Sequence, residues 1–324
     1  MNDRGLKVLE QYDLEIISTR RGRGSYICET SQGLKLLCDF QGSEKKMAFQ
    51  NRILHKIKEA GYETVDLAME NREGKLVSVD RDENRYVLKD WYYGRECSAT
   101  GERDILEAVE NLARLHRCMC FPQEEKEYCG IPLQKELEAR TRELKKVRSF
   151  IRGQEPKQPF EQMFLKCFPV FFEQASSVKE MAGTMCSETA LQAQISLGTL
   201  CHGDYNYHHV LFLERGMATT NFGRCRFDFQ VHDLYQFMRK ILEKQNWDPG
   251  LGEKMLNTYE RQRSLSEAEQ KILYLRMAYP EKFWKLANHY YGSRKAWIPG
   301  RYLQKLEALN RQQEQKKSFL KLLE

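Results

Sequence analysis

Apolar and polar positions alternate over the first ninety or so residues, and a helical period replaces that alternation afterwards. Residues 14–19, 26–30 and 34–40 read as three strands, preceded by a short helix or extended entry over 6–12. Ser43 is a cap and Gly61 a stop for a helix over 44–60, whose inward stripe is Met47, Gln50, Leu54 and Ile57. Two strands, 64–69 and 76–79, flank the Glu73-Gly74 turn, and another, 86–91, leads into Tyr92-Tyr93-Gly94-Arg95-Glu96. Beyond it the spacing predicts helices over 101–119, 133–152, 160–181, 183–196, 237–244, 251–262 and 266–278, with 121–131 an irregular connection. Between 200 and 234 the chain reads as a tight loop, a short strand, a turn, a second strand and a helix. The expectation is an α+β chain whose sheet-rich part precedes a larger helical part.

Composition narrows the class. A chain of 324 residues and 38.3 kDa is long enough for two domains with their own cores, and 41% hydrophobic residues make it globular. The charge of +6 arises from 52 basic and 46 acidic residues mixed along helices, which is a solvated surface and not a nucleic-acid-binding tract. No run approaches the eighteen apolar residues of a membrane span, and Met1-Asn2-Asp3-Arg4-Gly5 is no signal peptide, so the expectation is a protein kept inside the cell that makes it. The ten cysteines, spaced as in Cys118-Met119-Cys120, read as reduced thiols serving as small apolar residues, without a zinc site. No internal repeat or low-complexity linker interrupts the chain.

Chemistry concentrates at Leu200-Cys201-His202-Gly203-Asp204 and the residues up to Leu234. Phosphoryl transfer needs one carboxylate to orient an acceptor hydroxyl and further oxygen ligands to hold metal on the phosphates, and Asp204 suits the first task. The turn Gly22-Arg23-Gly24-Ser25 between the first two strands either lets backbone amides approach a phosphate or is an ordinary glycine hairpin. In the third strand alternation puts Leu34, Leu36, Cys38 and Phe40 on one face and Lys35, Leu37 and Asp39 on the other. His116 and the phenylalanines at 164, 168, 171 and 172 read as structural core.

His202-Gly203-Asp204, together with Leu112-Ala113-Arg114-Leu115-His116, resembles the aminoglycoside-phosphotransferase and choline-kinase branch of the protein-kinase-like fold. Tyr279-Pro280-Glu281-Lys282-Phe283-Trp284 through Tyr291 and Arg294-Lys295-Ala296-Trp297 resemble, more particularly, the CotS family of bacterial spore-coat proteins. The resemblance covers about 12–323. It implies a bilobal fold with an N-terminal lobe over 1–91, a hinge over 92–98 where an adenine would sit, and a helical lobe over 99–324 carrying the catalytic-type loop 200–223. It implies that Asp204 is the catalytic base, that His202 supports its loop, and that Asp233 of Asp233-Leu234 anchors that loop. Gly22, Gly24 and Ser25 would face the nucleotide. The family's phosphate-gripping Lys falls at Cys38, its partner Glu at Gln50, its metal-binding Asn at His209 and its second metal-binding Asp at Asn221. A one-turn change of register on the first long helix would instead make Glu44 the partner.

Magnesium prefers hard, anionic oxygens, whereas His209 offers nitrogen and Asn221 a neutral amide. These four departures imply a pseudokinase that keeps the fold as a binding or assembly surface. The competing expectation is an active ATP-dependent phosphotransferase with Asp204 as base, metal held by His209, Asn221 and Asp228, and Arg23 as a replacement cation. ATP and a divalent metal are the cofactors the resemblance admits, with spore coat proteins as partners and no nucleic acid or membrane. By resemblance the protein is made in the mother-cell cytoplasm and ends in the coat.

Overall fold

The computed structural model describes residues 3–22, 24–122, 124–292 and 299–324. Backbone contacts divide it into two compact units: the first comprises residues 1–98, 114–119 and 202–225, the second 99–113, 120–201 and 226–324. The loop after His202 therefore clusters with the N-terminal sheet.

In the first unit a five-stranded antiparallel sheet has the order β1 (Ile16–Arg21), β2 (Ser25–Thr30), β3 (Gly33–Asp39), β5 (Arg85–Asp90), β4 (Ser78–Val79). Both of its faces are covered, which alternation alone did not reveal. On one, a 3-10 helix, Asp3–Gln11, packs Val8 and Leu9 with Tyr12 against Tyr26, Cys28, Leu37, Tyr86 and Leu88. On the other, Met47 of α1 (Glu44–Glu59) meets Ala68, Val77, Val87 and Cys38. Lys35, on the face opposite Cys38 as alternation expects, is consequently buried and paired with Asp90 at 2.6 Å. The expected strand over 64–69 is instead irregular chain with bridges at Val65 and Ala68, because Asn51 Oδ1 takes the Ala68 amide at 2.8 Å in place of a sheet partner. A smaller sheet, β6 (Arg95–Glu96), β8 (Val210–Phe212) and β9 (Met217–Thr219), completes the unit, and β7 (Leu200–Cys201) belongs to the other.

The second unit is mainly helical. Its long helices are α3 (Leu133–Arg152) and α4 (Pro159–Met185); α2 (Glu102–Arg117) contributes residues to both units. Helix α4 continues past Pro169 and beyond the expected end at 181, and α5 (Glu188–Leu197) starts only where Ser187 accepts the Thr189 amide. The phenylalanine stripe is core: Phe164 and Phe171 stack on Phe283 of α9 (Glu281–Gly292) at 4.8 and 4.5 Å. That helix is the segment carrying the spore-coat likeness, and its Trp284 and Asn288 both donate to Glu143 of α3 at 2.7 Å. The remaining likeness, 294–297, lies outside the described residues. β10 (Arg226–Phe227) pairs with β7, and α6 (Val231–Leu242) begins six residues earlier than periodicity predicts. Then come α7 (Pro249–Gln262) and α8 (Glu267–Ala278), the latter opened by a reciprocal Ser266 and Glu269 cap. No described helix is long and apolar enough to cross a membrane.

Candidate functional site

The expected site residues of the first unit come together around the loop 202–209. His202 is fully buried: its Nδ1 accepts the Asp204 amide at 3.1 Å and its Nε2–H donates to the Thr220 carbonyl at 3.0 Å, tying the loop to the end of β9. Gly203 has φ +81°, and a Cβ there would stand 2.2 Å from the Arg224 carbonyl oxygen, so only glycine permits this approach. Asp204 is half-buried, and Asn206 donates to both its backbone oxygen (2.9 Å) and its carboxylate (3.3 Å). Sequence reasoning passed over Asn206, although Asp-x-Asn is a common self-bonding loop pattern.

His209 and Asn221, the two positions where the resemblance implies metal ligands, face each other. His209 Nδ1 lies 2.9 Å from the Asp204 carbonyl and 2.8 Å from Asn206 Nδ2, and Asn221 Nδ2 reaches Nε2 at 3.1 Å. Both ring nitrogens that a metal could use are thus already engaged within the loop system. Asn221 adopts φ 70°, ψ 51°, the left-handed region that asparagine tolerates better than most side chains. No group of three or more His, Cys, Asp or Glu that could hold a metal occurs among the described residues. Asp228, the expected replacement ligand, is committed within the second unit. Its Oδ2 accepts from Arg226 (2.8 Å) and His232 (3.0 Å), and its Oδ1 from the Phe229 amide. Burial alone would raise its carboxyl, yet His232 and Arg226 hold it well below the usual range. The residues present therefore do not fit magnesium.

The positions that the resemblance assigns to a nucleotide lie on β2, β3 and α1 or beside them. Gly22 N–H bonds the Ser25 carbonyl at 2.8 Å, so strand pairing continues to the turn, and Gly24 has φ +67°. Arg23 lies outside the described residues. Cys38 is half-buried, and desolvation pushes its thiol up to about 11 despite the nearby Lys89 cation. Gln50 is buried as the helical stripe predicted, next to Gly223, and its Nε2 has no hydrogen-bond partner. Glu44 instead is exposed and meets Arg85 at 3.3 Å, so the one-turn alternative in register fails. Asp233 is buried in the first turn of α6 in the second unit.

The structure also contains an ion pair that sequence reasoning missed. Lys89 Nζ of β5 lies 3.1 Å from Asp66 Oδ2, and both side chains are nearly inaccessible. Burial pulls the Lys89 ammonium down, but Asp66, foremost among the groups around it, pulls it up and the net shift is upward. The signal was a lysine inside the apolar run Tyr86-Val87-Leu88-Lys89.

A family model described as "Spore coat putative kinase YutH" matches residues 6–323. The chain belongs to that spore-coat family. Among relatives of the YutH family member described here, spore coat protein S of Bacillus subtilis (strain 168) is 22% identical over 309 residues, covering 94% of this chain and 87% of that protein. Among solved structures, an aminoglycoside phosphotransferase from Alicyclobacillus acidocaldarius subsp. acidocaldarius DSM 446 superposes with a TM-score of 0.83 at 18% identity, covering 98% of this chain and 94% of the other. Spectinomycin phosphotransferase APH(9)-Ia gives 0.69 at 11% identity, over 97% and 96%. Choline kinase LicA from Streptococcus pneumoniae gives 0.53 at 14%, over 97% of each. These likenesses show the fold, the bilobal α+β architecture of protein-kinase-like phosphotransferases.

Proposed function

We propose that this YutH-family chain is a pseudokinase of the spore coat, a phosphotransferase scaffold retained as a binding or assembly surface for other coat proteins. The observation that carries the reading is the hydrogen bond between Asn221 Nδ2 and His209 Nε2, which closes the two metal positions on each other. Magnesium would have to displace that bond and then accept an amide oxygen and an imidazole nitrogen in place of hard anionic ligands. Three further features support it: a tight hairpin where phosphates would lie, a neutral thiol at Cys38 and an uncharged amide at Gln50. If each missing charge contact removes about 2.7 to 4 kcal/mol of transition-state stabilisation, the loss of several leaves little of a kinase's rate advantage, even though such terms are not additive. Asp204 remains, held by Asn206 and His202, as part of the loop's own bonding.

The test is thermal unfolding of the full chain with ATP, separately with magnesium, manganese and zinc, alongside phosphate release. The pseudokinase reading predicts an unchanged unfolding temperature and no release under any of the three. A metal-dependent rise with phosphate release that Asp204→Asn abolishes would establish the alternative, an active phosphotransferase.

A further inference from the structure

The register of the main sheet pairs Cys38 with Val87 and Leu36 with Lys89, so Lys89 stands on the same face as Cys38, one rung along. Its ammonium meets Asp66 Oδ2, and that same oxygen accepts the backbone amide of Asn221 at 2.9 Å. A continuous chain therefore runs from β5 through Lys89 and Asp66 to the turn whose side chain covers His209. Asp66 Oδ1 is buried without a partner, which leaves Lys89 and one amide as the groups bonded to this carboxylate.

We propose that Lys89 and Asp66 act as positioning residues, holding Asn221 in its left-handed turn so that its amide occupies His209 Nε2. The pair, from β5 and the irregular segment 64–69, stands in for the cation and carboxylate absent at Cys38 and Gln50. An anchored Asn221 amide keeps Nε2 engaged, whereas a released turn would leave it bare. The left-handed conformation of a non-glycine residue is costly enough to need such an anchor. This inference rests on the pseudokinase reading for its functional meaning, but its structural content is measured without nucleotide or metal. Nucleotide turnover by the native chain would therefore overturn that reading and leave the positioning role standing.

The experiment uses the full chain and three variants. Lys89→Met alone strands a buried carboxylate and should lower the unfolding temperature by about 10 °C. Lys89→Met with Asp66→Leu removes both charges, and most of that loss should return. In this double variant the Asn221 amide has lost its acceptor. Its hydrogen exchange should accelerate about 100-fold while the amides of Leu37 and Leu88 keep their native rates, and the nitrogen-15 shift of His209 Nε2 should move toward that of an unbonded ring nitrogen. Asp66→Asn keeps an acceptor oxygen, so the Asn221 amide should stay protected although the protein is less stable. An Asn221 exchange rate in the double variant within about threefold of native, or an unmoved His209 resonance, would reduce the pair to a packing feature and overturn the proposal.

Discussion

In the helical unit Glu136 of α3 lies between Arg140 and Arg276, Arg276 bonds it at 2.6 Å, and Asp228 is bracketed by Arg226 and His232. In the first unit, Cys38 of β3 and Gln50 of α1 instead place a neutral thiol and an amide against the interior. Both regions belong to one fold, so burial alone does not decide where charge is kept. Buried charge is kept where opposite charges internal to the protein stand beside it, as around Glu136 and Asp228. The Lys89–Asp66 pair follows the same division, since each of its contacts is internal.

The comparison is broken most severely by removing one member of the helical network. Arg276→Leu leaves Glu136 without one of its two arginine partners in a buried setting and should cost about 3 to 5 kcal/mol, read from urea unfolding of the full chain. A loss below about 1 kcal/mol would mean that the network contributes no more than a surface pair.

Acid probes the same network. Burial alone would raise the Glu136 carboxyl, but Arg276 and Arg140 pull it down to about 2. Its contribution is complete above the ordinary glutamate range near 4.5 and drains as pH falls toward 2, about 3 kcal/mol in all. Glu136→Gln should flatten that part of the stability curve; an unchanged acid slope would remove Glu136 from the account.

Much of this contrast was legible in the sequence. The helical stripe of α1 correctly buried Gln50, and alternation put Cys38 opposite Lys35. The grouping of His202, Asp204, His209 and Asn221 came from the resemblance, and the loop's own bonds bring them together. What stayed hidden depended on contacts between segments distant in sequence. Alternation cannot show that a 3-10 helix covers the second face of the sheet, nor that Lys35 is buried there against Asp90. The Lys89–Asp66 pair joins residues 23 positions apart through an irregular segment that reads as a strand. Asp228 looked available because nothing local announces that Arg226 and His232 enclose it.

On the cleft side, effects should be smaller and of opposite sign. Gln50 Nε2 is a buried donor without an acceptor, so Gln50→Leu should stabilise the chain by about 1 kcal/mol, measured by chemical denaturation. A destabilisation would show that the amide serves an interaction of its own. Smallest of all is the half-exposed pair of His208 with Glu96, at 2.5 Å. His208→Ala should change stability by less than about 1 kcal/mol. A larger loss would show that this surface contact holds β6 to the loop.

The most direct measurement is calorimetric titration of magnesium-ATP into the native chain beside the His209→Asn/Asn221→Asp variant, which installs the oxygen ligands that the resemblance implies. The account predicts no saturable heat for the native chain and magnesium-dependent binding only after restoration. Saturable, magnesium-dependent binding by the native chain would contradict it.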